Sequence, residues 1–232
     1  MNYFKEIRLG AKVLVVDGDP QGNLSLFFQP GTVGGPDFGD LLQALDQKLT
    51  PEPSQFIQPG VRPGLDLIPA RNRTLRSIVR DEQMDRISPA FSAWLHGLRQ
   101  NYDWILIDSS PSNGALELML IRASQAILIP LEFQLFSVAG LQAILEEITN
   151  CATEAGHAIR VHGLIFTKAE NRLKRVDTYR EVFSTFQIPI FEVCKSEYIP
   201  RSVERSRTIW EAAPESFAAK DYGNIIEKVF LE

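Results

Sequence analysis

The stretch Val13–Asn23, VLVVDGDPQGN, decides the fold class of this 232-residue chain. It opens with a valine-rich apolar run that is too short for a helix and is typical of a buried strand. Two carboxylates, Asp17 and Asp19, stand one residue apart at the end of that run, and the turn-forming Pro-Gln-Gly follows them. The stretch therefore predicts a buried strand whose carboxyl end leads into a polar loop.

Strand patterns of this kind alternate with helical patterns through the rest of the sequence. Further strands are predicted at Leu65–Ile68, Trp104–Ile107, Ala126–Ile129 (ended by Pro130), His162–Thr167 and Ile190–Val193. Helical patterns cover Phe4–Leu9, Phe38–Leu45, Ile87–Arg99, Leu116–Ser124, Val138–Ala155, Asp177–Phe186 and Ala218–Phe230. The alternation predicts an α/β fold, with a mostly parallel sheet covered by helices on both faces, in a single domain over residues 1–232.

The carboxyl ends of the strands are the expected ligand-binding edge of such a sheet. Asp17, Asp19, Asp108 and Pro130 all fall at predicted strand ends. Asp108 follows an apolar strand and precedes small, turn-forming residues, which is the pattern of a Walker B carboxylate that holds Mg²⁺ directly or through water. Asp19 is placed to orient an attacking water or approach the metal, whereas Asp17 is expected to hold the loop. The alternative for Asp108 is a simple cap of the next turn.

Composition excludes several classes of protein. Apolar residues make up 44% of the chain and charged residues 23%, which is ordinary for a globular protein. The longest apolar runs are far shorter than the roughly 20 residues that cross a membrane. No export signal is apparent, and Cys151 and Cys194 stand far apart, so we expect reduced thiols in a cytoplasmic protein. The histidines lack metal-ligand spacing, which argues against structural zinc.

Charge is unevenly distributed along the chain. The net charge of -5 argues against a protein that coats nucleic acid generally. Residues 168–207 nevertheless carry nine Lys and Arg against six Asp and Glu. This basic segment is either a binding face or an ordinary solvated surface of mixed charge.

Four stretches, taken in order, resemble the ParA/MinD-type partitioning ATPases, which are P-loop NTPases with a deviant Walker motif. KVLVVDGDPQGNLS resembles the family's second strand and switch, and LDLIPARNRTL its third-strand segment. YDWILIDSSPSNGALELMLIRASQAILIPLEFQLFSVAGL is similar to the Walker B strand, the second switch and the strand and helix after them. IPRSVERSRTIWEAAPESFAAKDYGNIIEKV resembles the C-terminal region. The resemblance implies a P-loop NTPase-like α/β fold.

The same resemblance implies an activity. Family members dimerise around ATP and Mg²⁺, bind DNA without sequence preference, and hydrolyse ATP when a ParB-like or cargo-adaptor protein stimulates them. Such a protein partitions DNA or plasmids or positions an intracellular cargo. Asp19 matches the water-positioning switch carboxylate and Asp108 the Walker B aspartate, and both are candidate magnesium ligands. The candidate nucleotide-binding residues are Asp17, Gln21, Pro130, Thr167 and Arg172, and the candidate DNA-binding residues are Arg201, Arg205 and Arg207.

The sequence departs from the family at the phosphate loop. No Gly-Lys-Ser/Thr occurs in the 232 residues, and the glycine-rich residues 31–36 lack lysine, follow Asp19 and are predicted to form a surface loop. The family's first strand and phosphate loop, which lie beside the Walker B strand, are therefore expected to be absent from this chain. Three explanations stand: translation starts upstream, the neighbouring strands close up or a partner donates a strand, or the chain is a degenerate ATPase.

We therefore expect weak or absent ATP hydrolysis by this 232-residue chain. One alternative function is a catalytically degenerate interaction module that binds a partner through its switch face. The other is a metabolic P-loop relative of the cobyrinate-synthase or amidoligase type, which would also need a phosphate loop and a substrate domain.

Overall fold

The structure is a computed structural model in which residues 10–31, 34–78, 81–110, 114–132, 138–169 and 183–230 are described. These residues fall into two compact units. The first unit is Gly10–Ser124, and the second unit includes Gln125–Glu232. Each unit combines helices with a sheet of its own whose strands are mostly parallel, so the predicted α/β fold class is confirmed.

The first unit is built on four strands: β1 (Val13–Asp17), β2 (Gln58–Arg62), β3 (Leu65–Ile68) and β4 (Trp104–Asp108). Their order in the sheet is β2-β3-β1-β4. β1 pairs in parallel with β3 on one side and with β4 on the other, whereas β2 runs antiparallel to β3. The predicted strands in this unit are confirmed, and β2 is an addition that the sequence pattern did not predict.

Among the described residues of this unit, five α-helices accompany the sheet: α1 (Asn23–Phe28), α2 (Phe38–Asp46), α3 (Asn72–Ile78), α4 (Asp81–Gly97) and α5 (Ala115–Ala123). α2 begins at a capping box, in which the Asp37 side chain accepts the Asp40 N–H and the Asp40 side chain accepts the Asp37 N–H. The predicted helices at α2, α4 and α5 are confirmed with shifted ends, whereas α1 and α3 were not predicted.

The core of the first unit forms where apolar side chains of β1 meet the helices. Leu14 and Val16 are fully buried and belong to one cluster with residues of α2, α3, α4 and α5. Within it the rings of Phe38 and Phe91 pack edge to face with centroids 5.5 Å apart. Gly39 allows α2 to approach α3 closely, because an added Cβ would lie 2.7 Å from the Leu75 nitrogen.

The second unit contains β5 (Ala126–Glu132), β6 (Arg160–Ala169) and β7 (Ile190–Cys194), all parallel, in the order β5-β6-β7. The prediction that Pro130 ends its strand is wrong, because β5 continues through Pro130 to Glu132. Within the described part of the chain, β5 lies at the edge of this three-stranded sheet and pairs with β6 alone. An edge strand tolerates proline because the N–H groups on its outer side have no ladder partner in that sheet.

Four helices of the second unit are described: α6 (Val138–Ala155), α7 (Tyr198–Glu204), α8 (Ile209–Ala212) and α9 (Phe217–Phe230). α6 and α9 were predicted, and α9 packs against β7 through a small core that includes Val193, Ala218 and Ile225. The predicted helical residues Phe4–Leu9 and 177–182 lie outside the described residues. No helix in the described ranges has the length and apolar character needed to cross a membrane.

Candidate functional site

β1 and β4 end side by side in the first unit, and their last residues are both aspartates. The parallel register places Asp17 opposite Asp108. Just beyond, the Gly18 N–H donates to the Asp108 carbonyl oxygen at 2.8 Å. A Cβ at Gly18 would lie only 2.7 Å from that oxygen, so glycine is required for this close approach. The two strand ends are thus fixed to each other by backbone contacts.

Asp17 is fully buried and serves as an acceptor for the loop that follows it. Its Oδ1 accepts the Asp19 N–H at 3.2 Å. Its Oδ2 accepts both the N–H and the hydroxyl of Ser25, at 2.8 Å and 2.5 Å. Burial raises the pKa of Asp17, while the hydrogen bonds from Ser25 and Asp19 act in the opposite direction. Asp17 therefore holds the loop, as predicted from its position.

Asp19 lies in a tight turn at the same edge. Its Oδ1 accepts the Gln21 N–H at 2.8 Å, and its carbonyl accepts the Gly22 N–H at 2.9 Å. Gly22 has φ 67°, a left-handed conformation that glycine adopts without steric cost, and α1 begins directly after it. The Asp19 side chain is partly exposed, and the Gln21 residue is exposed. The turn thus presents Asp19 at the end of the sheet.

The Asp108 carboxyl group at this edge has a raised pKa. It retains an exposed surface, yet partial desolvation by the surrounding protein, with the charges of Asp17 and Asp19, raises the pKa of Asp108 to about 6. The three carboxylates therefore repel one another, and a cation would relieve that repulsion. The described residues contain no group of three or more His, Cys, Asp or Glu side chains arranged to hold a metal ion by themselves. Mg²⁺ is commonly bound by one or two carboxylates with waters and substrate phosphates, so Asp19 and Asp108 are the candidate ligands at this edge.

Two polar residues at this end of the first unit were missed in the sequence. Ser25, on α1, is 1% exposed and contacts Asp17 as described above. Glu117, in the first turn of α5, is buried and accepts a hydrogen bond from the Ser110 hydroxyl. α1 has six residues, too few for a hydrophobic period to emerge, so the sequence carried no helical signal around Ser25.

The remaining candidate nucleotide-binding residues belong to the second unit. Pro130 lies within β5, and Thr167 lies near the end of the neighbouring β6. The Thr167 hydroxyl donates to the Leu131 carbonyl at 3.2 Å, which joins the two strands at this end. Arg172 lies outside the described residues. The structure therefore brings Pro130 and Thr167 onto neighbouring strands.

The three candidate DNA-binding arginines lie in and after α7. Arg201 is in α7 and forms an ion pair with Glu197, Nη2 to Oε2, at 3.2 Å. Arg205 and Arg207 follow the helix, and their N–H groups both donate to the Ser202 carbonyl, at 3.1 Å and 2.9 Å. All three arginines are exposed. The turn after α7 therefore holds them within one short, solvent-facing segment.

Comparison with known proteins agrees with this geometry. A family model described as an AAA domain matches residues 5–161, which is more than half of the chain. The chromosome-partitioning ATPase Soj of Treponema pallidum is 29% identical over 203 residues, covering 85% of this chain and 74% of Soj. The chain belongs to the ParA/MinD-type partitioning ATPase family. It spans 60% of the length of an uncharacterised Pseudomonas putida protein, which is 31% identical over 166 residues.

Solved structures show that the fold is that of the ParA/MinD family. McdA from Cyanothece, in a complex with ATP, has a TM-score of 0.79 at 21% identity and covers 100% of this chain and 90% of McdA. Cobyrinic acid a,c-diamide synthase from Mycobacterium smegmatis has a TM-score of 0.72 at 21% identity and covers 93% of this chain and 80% of the enzyme. At such identities the likeness establishes the P-loop NTPase-type fold alone.

Proposed function

We infer that the chain is a ParA-type protein that partitions DNA or a plasmid or positions an intracellular cargo. Its family activity is ATP-dependent dimerisation and magnesium-dependent ATP hydrolysis. One observation carries this proposal: the register of β1 with β4 sets Asp17 opposite Asp108 and groups Asp19 with them at a single sheet edge. Paired carboxylates at strand ends suit phosphoryl transfer, in which positioning and charge neutralisation supply most of the catalysis.

Each carboxylate has a role in this proposal. Asp108, once ionised, would hold Mg²⁺ directly or through water, and the metal when bound would neutralise phosphate charge. Asp19 would orient the water that attacks the terminal phosphate, since its side chain extends from the turn at the same edge. The Asp17 carboxylate accepts hydrogen bonds from the Asp19 and Ser25 N–H groups, so Asp17 would act on the nucleotide indirectly, by holding the loop. Gln21, Pro130, Thr167 and Arg172 remain candidates for nucleotide contact.

The expected partners follow from the same family assignment. We propose a homodimer that acts in the cytoplasm, associates with the nucleoid and is stimulated by a ParB-like or cargo-adaptor protein. Exposed Arg201, Arg205 and Arg207 would bind DNA phosphates without reading sequence, and that mode of binding weakens steeply as salt increases.

The test measures ATP binding and turnover by the 232-residue chain and by the same chain fused to a segment that carries a Gly-Lys-Ser/Thr loop. We expect weak or absent turnover in the first and magnesium-dependent turnover in the second, because the 232 residues contain no Gly-Lys-Ser/Thr loop to bind the phosphates. Asp19→Ala should abolish turnover and retain nucleotide binding, whereas Asp108→Ala should weaken both.

Asp85→Ala is the matched control, since Asp85 is an exposed aspartate on α4 of the same unit. Robust turnover by the unfused chain would contradict the expectation about the phosphate loop. Turnover by the fused chain that survives both Asp19→Ala and Asp108→Ala would contradict the proposed site.

Two alternatives remain distinguishable from this proposal. A degenerate interaction module would bind its partner equally well with Asp19→Ala and Asp108→Ala. A metabolic relative would consume ATP only in the presence of a carboxylic acid substrate and a nitrogen donor; the fold likeness to cobyrinic acid a,c-diamide synthase is the observation that favours it. Salt-sensitive DNA binding that depends on the three arginines would favour the partitioning proposal over both.

A further inference from the structure

We propose that Ser25 is a positioning residue that fixes Asp19 by joining the Asp17 carboxylate to the Ala70 amide, so that the Asp19 turn and the loop after β3 move together. The importance of this coupling for turnover rests on the proposed function, whereas the coupling itself does not.

The hydrogen-bond pattern around Ser25 has one possible direction. The Ala70 N–H donates to the Ser25 Oγ at 2.8 Å, and the Ser25 Oγ lies 2.5 Å from the Asp17 Oδ2. An amide N–H only donates, and a serine hydroxyl has a single proton. The hydroxyl therefore accepts from Ala70 and donates to Asp17. This relay crosses from α1 to the loop after β3, residues separated by 45 positions in the sequence.

Burial makes this relay strong. Ser25 is 1% exposed, Asp17 is fully buried and Ala70 is 3% exposed. Without the hydroxyl, the Ala70 N–H would lose its acceptor and Asp17 would lose one of its three donors, in a place where water has little access. Buried polar groups left without partners are far more costly than exposed ones.

The relay reaches Asp19 from both sides of the turn. On one side, Asp17 Oδ1 accepts the Asp19 N–H. On the other side, the Asp19 carbonyl accepts the Gly22 N–H. Gly22 in turn lies close to the Ala70 carbonyl, since a Cβ added to Gly22 would be 2.9 Å from the Ala70 oxygen. Ala70 thus contacts the turn through its N–H by way of Ser25 and through its C=O at Gly22. The placement of Asp19 follows from that of Ala70.

The loop that contains Ala70 is itself well anchored. The Pro69 carbonyl accepts the Phe38 N–H at 2.8 Å. Arg71 donates from Nε to the buried Asp37 at 2.8 Å, and Thr74 donates to the same carboxylate at 2.5 Å. These bonds join the loop after β3 to the start of α2. Ser25 therefore ties the Asp19 turn to a fixed part of the first unit.

Amide hydrogen exchange tests the coupling without reference to catalysis. In Ser25→Ala, the Ala70 and Asp19 amides should exchange at least about tenfold faster than in the unmodified chain, since the Ala70 N–H loses its acceptor and the Asp17 carboxylate that accepts the Asp19 N–H loses a donor. Ser25→Thr retains the hydroxyl and should keep both amides within about twofold of the unmodified chain. Ser88→Ala is the control, because Ser88 is another buried serine of this unit, on α4. Unchanged exchange at Asp19 in Ser25→Ala overturns the proposal.

If Ser25→Ala does not fold, Asp17→Asn provides the second variant, because it preserves shape and weakens the acceptor at the other end of the relay. Faster exchange of the Ala70 amide in Asp17→Asn supports the coupling, and exchange equal to that of the unmodified chain overturns it.

Turnover by the fused, loop-bearing chain gives the functional readout. A positioning role predicts that Ser25→Ala lowers kcat at least about tenfold with KM for ATP within about twofold, and that Ser25→Thr restores kcat. Equal kcat in Ser25→Ala and the unmodified form overturns the positioning role. If the unmodified fused chain shows no turnover while the exchange results hold, the proposed ATPase function fails and the coupling stands.

Discussion

Asp17 and Asp108 lie side by side as register partners at the last positions of two paired parallel strands. This relationship gathers negative charge, because Asp19 follows one residue after Asp17 and its charge also acts on Asp108. A fold gains nothing from carboxylates that repel one another, so such a grouping is typical of a site that binds a cation or carries out proton or phosphoryl chemistry.

Stability should depend on pH through Asp108. The pKa of Asp108 is raised from 3.8 to about 6 in the folded chain, so the protonated form is favoured by folding. Its stabilising contribution is fully present below pH 3.8 and is lost as the pH rises through about 6. Asp108→Asn should therefore be more stable than the unmodified chain at pH 7, by on the order of 1 kcal/mol once screening of this exposed group is allowed for.

The measurement compares the thermal unfolding of Asp108→Asn with that of the unmodified chain between pH 4 and pH 8. We expect the difference in Tm to increase with pH to about 2–4 °C and then to level off. Glu227→Gln, at an exposed carboxylate of α9, is the control and should show no such growth. A Tm difference for Asp108→Asn that is constant with pH would contradict the assignment.

Mg²⁺ should offset the loss of stability that ionised Asp108 causes. Mg²⁺ at a hundredfold excess over its Kd would stabilise the folded chain by about 2.7 kcal/mol. The stabilisation should weaken below about pH 6, because protonation of Asp108 removes a ligand charge. Thermal unfolding with and without Mg²⁺, with Asp108→Asn as the variant that should not respond, checks this expectation. Equal stabilisation of the two forms would place the ion elsewhere.

DNA affinity should fall when the arginines after α7 are removed. Arg201→Ala, Arg205→Ala and Arg207→Ala should each weaken binding of mixed-sequence DNA and lower the slope of log K against log salt concentration by about 0.9. Arg99→Ala, at an exposed arginine of the first unit, is the matched control. Salt titrations by fluorescence anisotropy provide the measurement, and slopes that match the Arg99→Ala slope would exclude this segment from the DNA interface.

Stability should also depend on the close approach of α2 to α3. Gly39→Ala should destabilise the fold by about 1–3 kcal/mol, because its Cβ would lie 2.7 Å from backbone and side-chain atoms of Thr74 and from the Leu75 nitrogen. Gly97→Ala, also at a helical glycine, meets no atom within 4 Å and should be neutral or stabilising by up to about 1 kcal/mol. Urea denaturation of both variants distinguishes the two effects, and equal midpoints would contradict this account of the packing.

Strands made mostly of apolar residues were predictable from sequence, whereas an element that depends on a neighbouring strand for its hydrogen bonds was not. β1, β3 and β4 carry valine, leucine and isoleucine in short runs, a composition typical of strands in a parallel sheet. β2 reads QPGVR and exists because β3 offers it an antiparallel partner. Pro130 gave a wrong strand end because only the order of the sheet reveals that β5 is an edge strand.

Some features of the candidate site were likewise predictable from the sequence, and others were not. The sequence by itself determined that Asp17, Asp19 and Asp108 follow apolar strands, because a carboxylate after a buried run must emerge at the carboxyl end of its strand. Only the tertiary structure decided that β1 and β4 are neighbours and that Asp17 and Asp108 are partners in the register of the two strands. It also decided that Ser25, which binds Asp17, accepts the Ala70 N–H across 45 residues of sequence, since hydrogen bonds between distant segments depend on packing that no local pattern encodes.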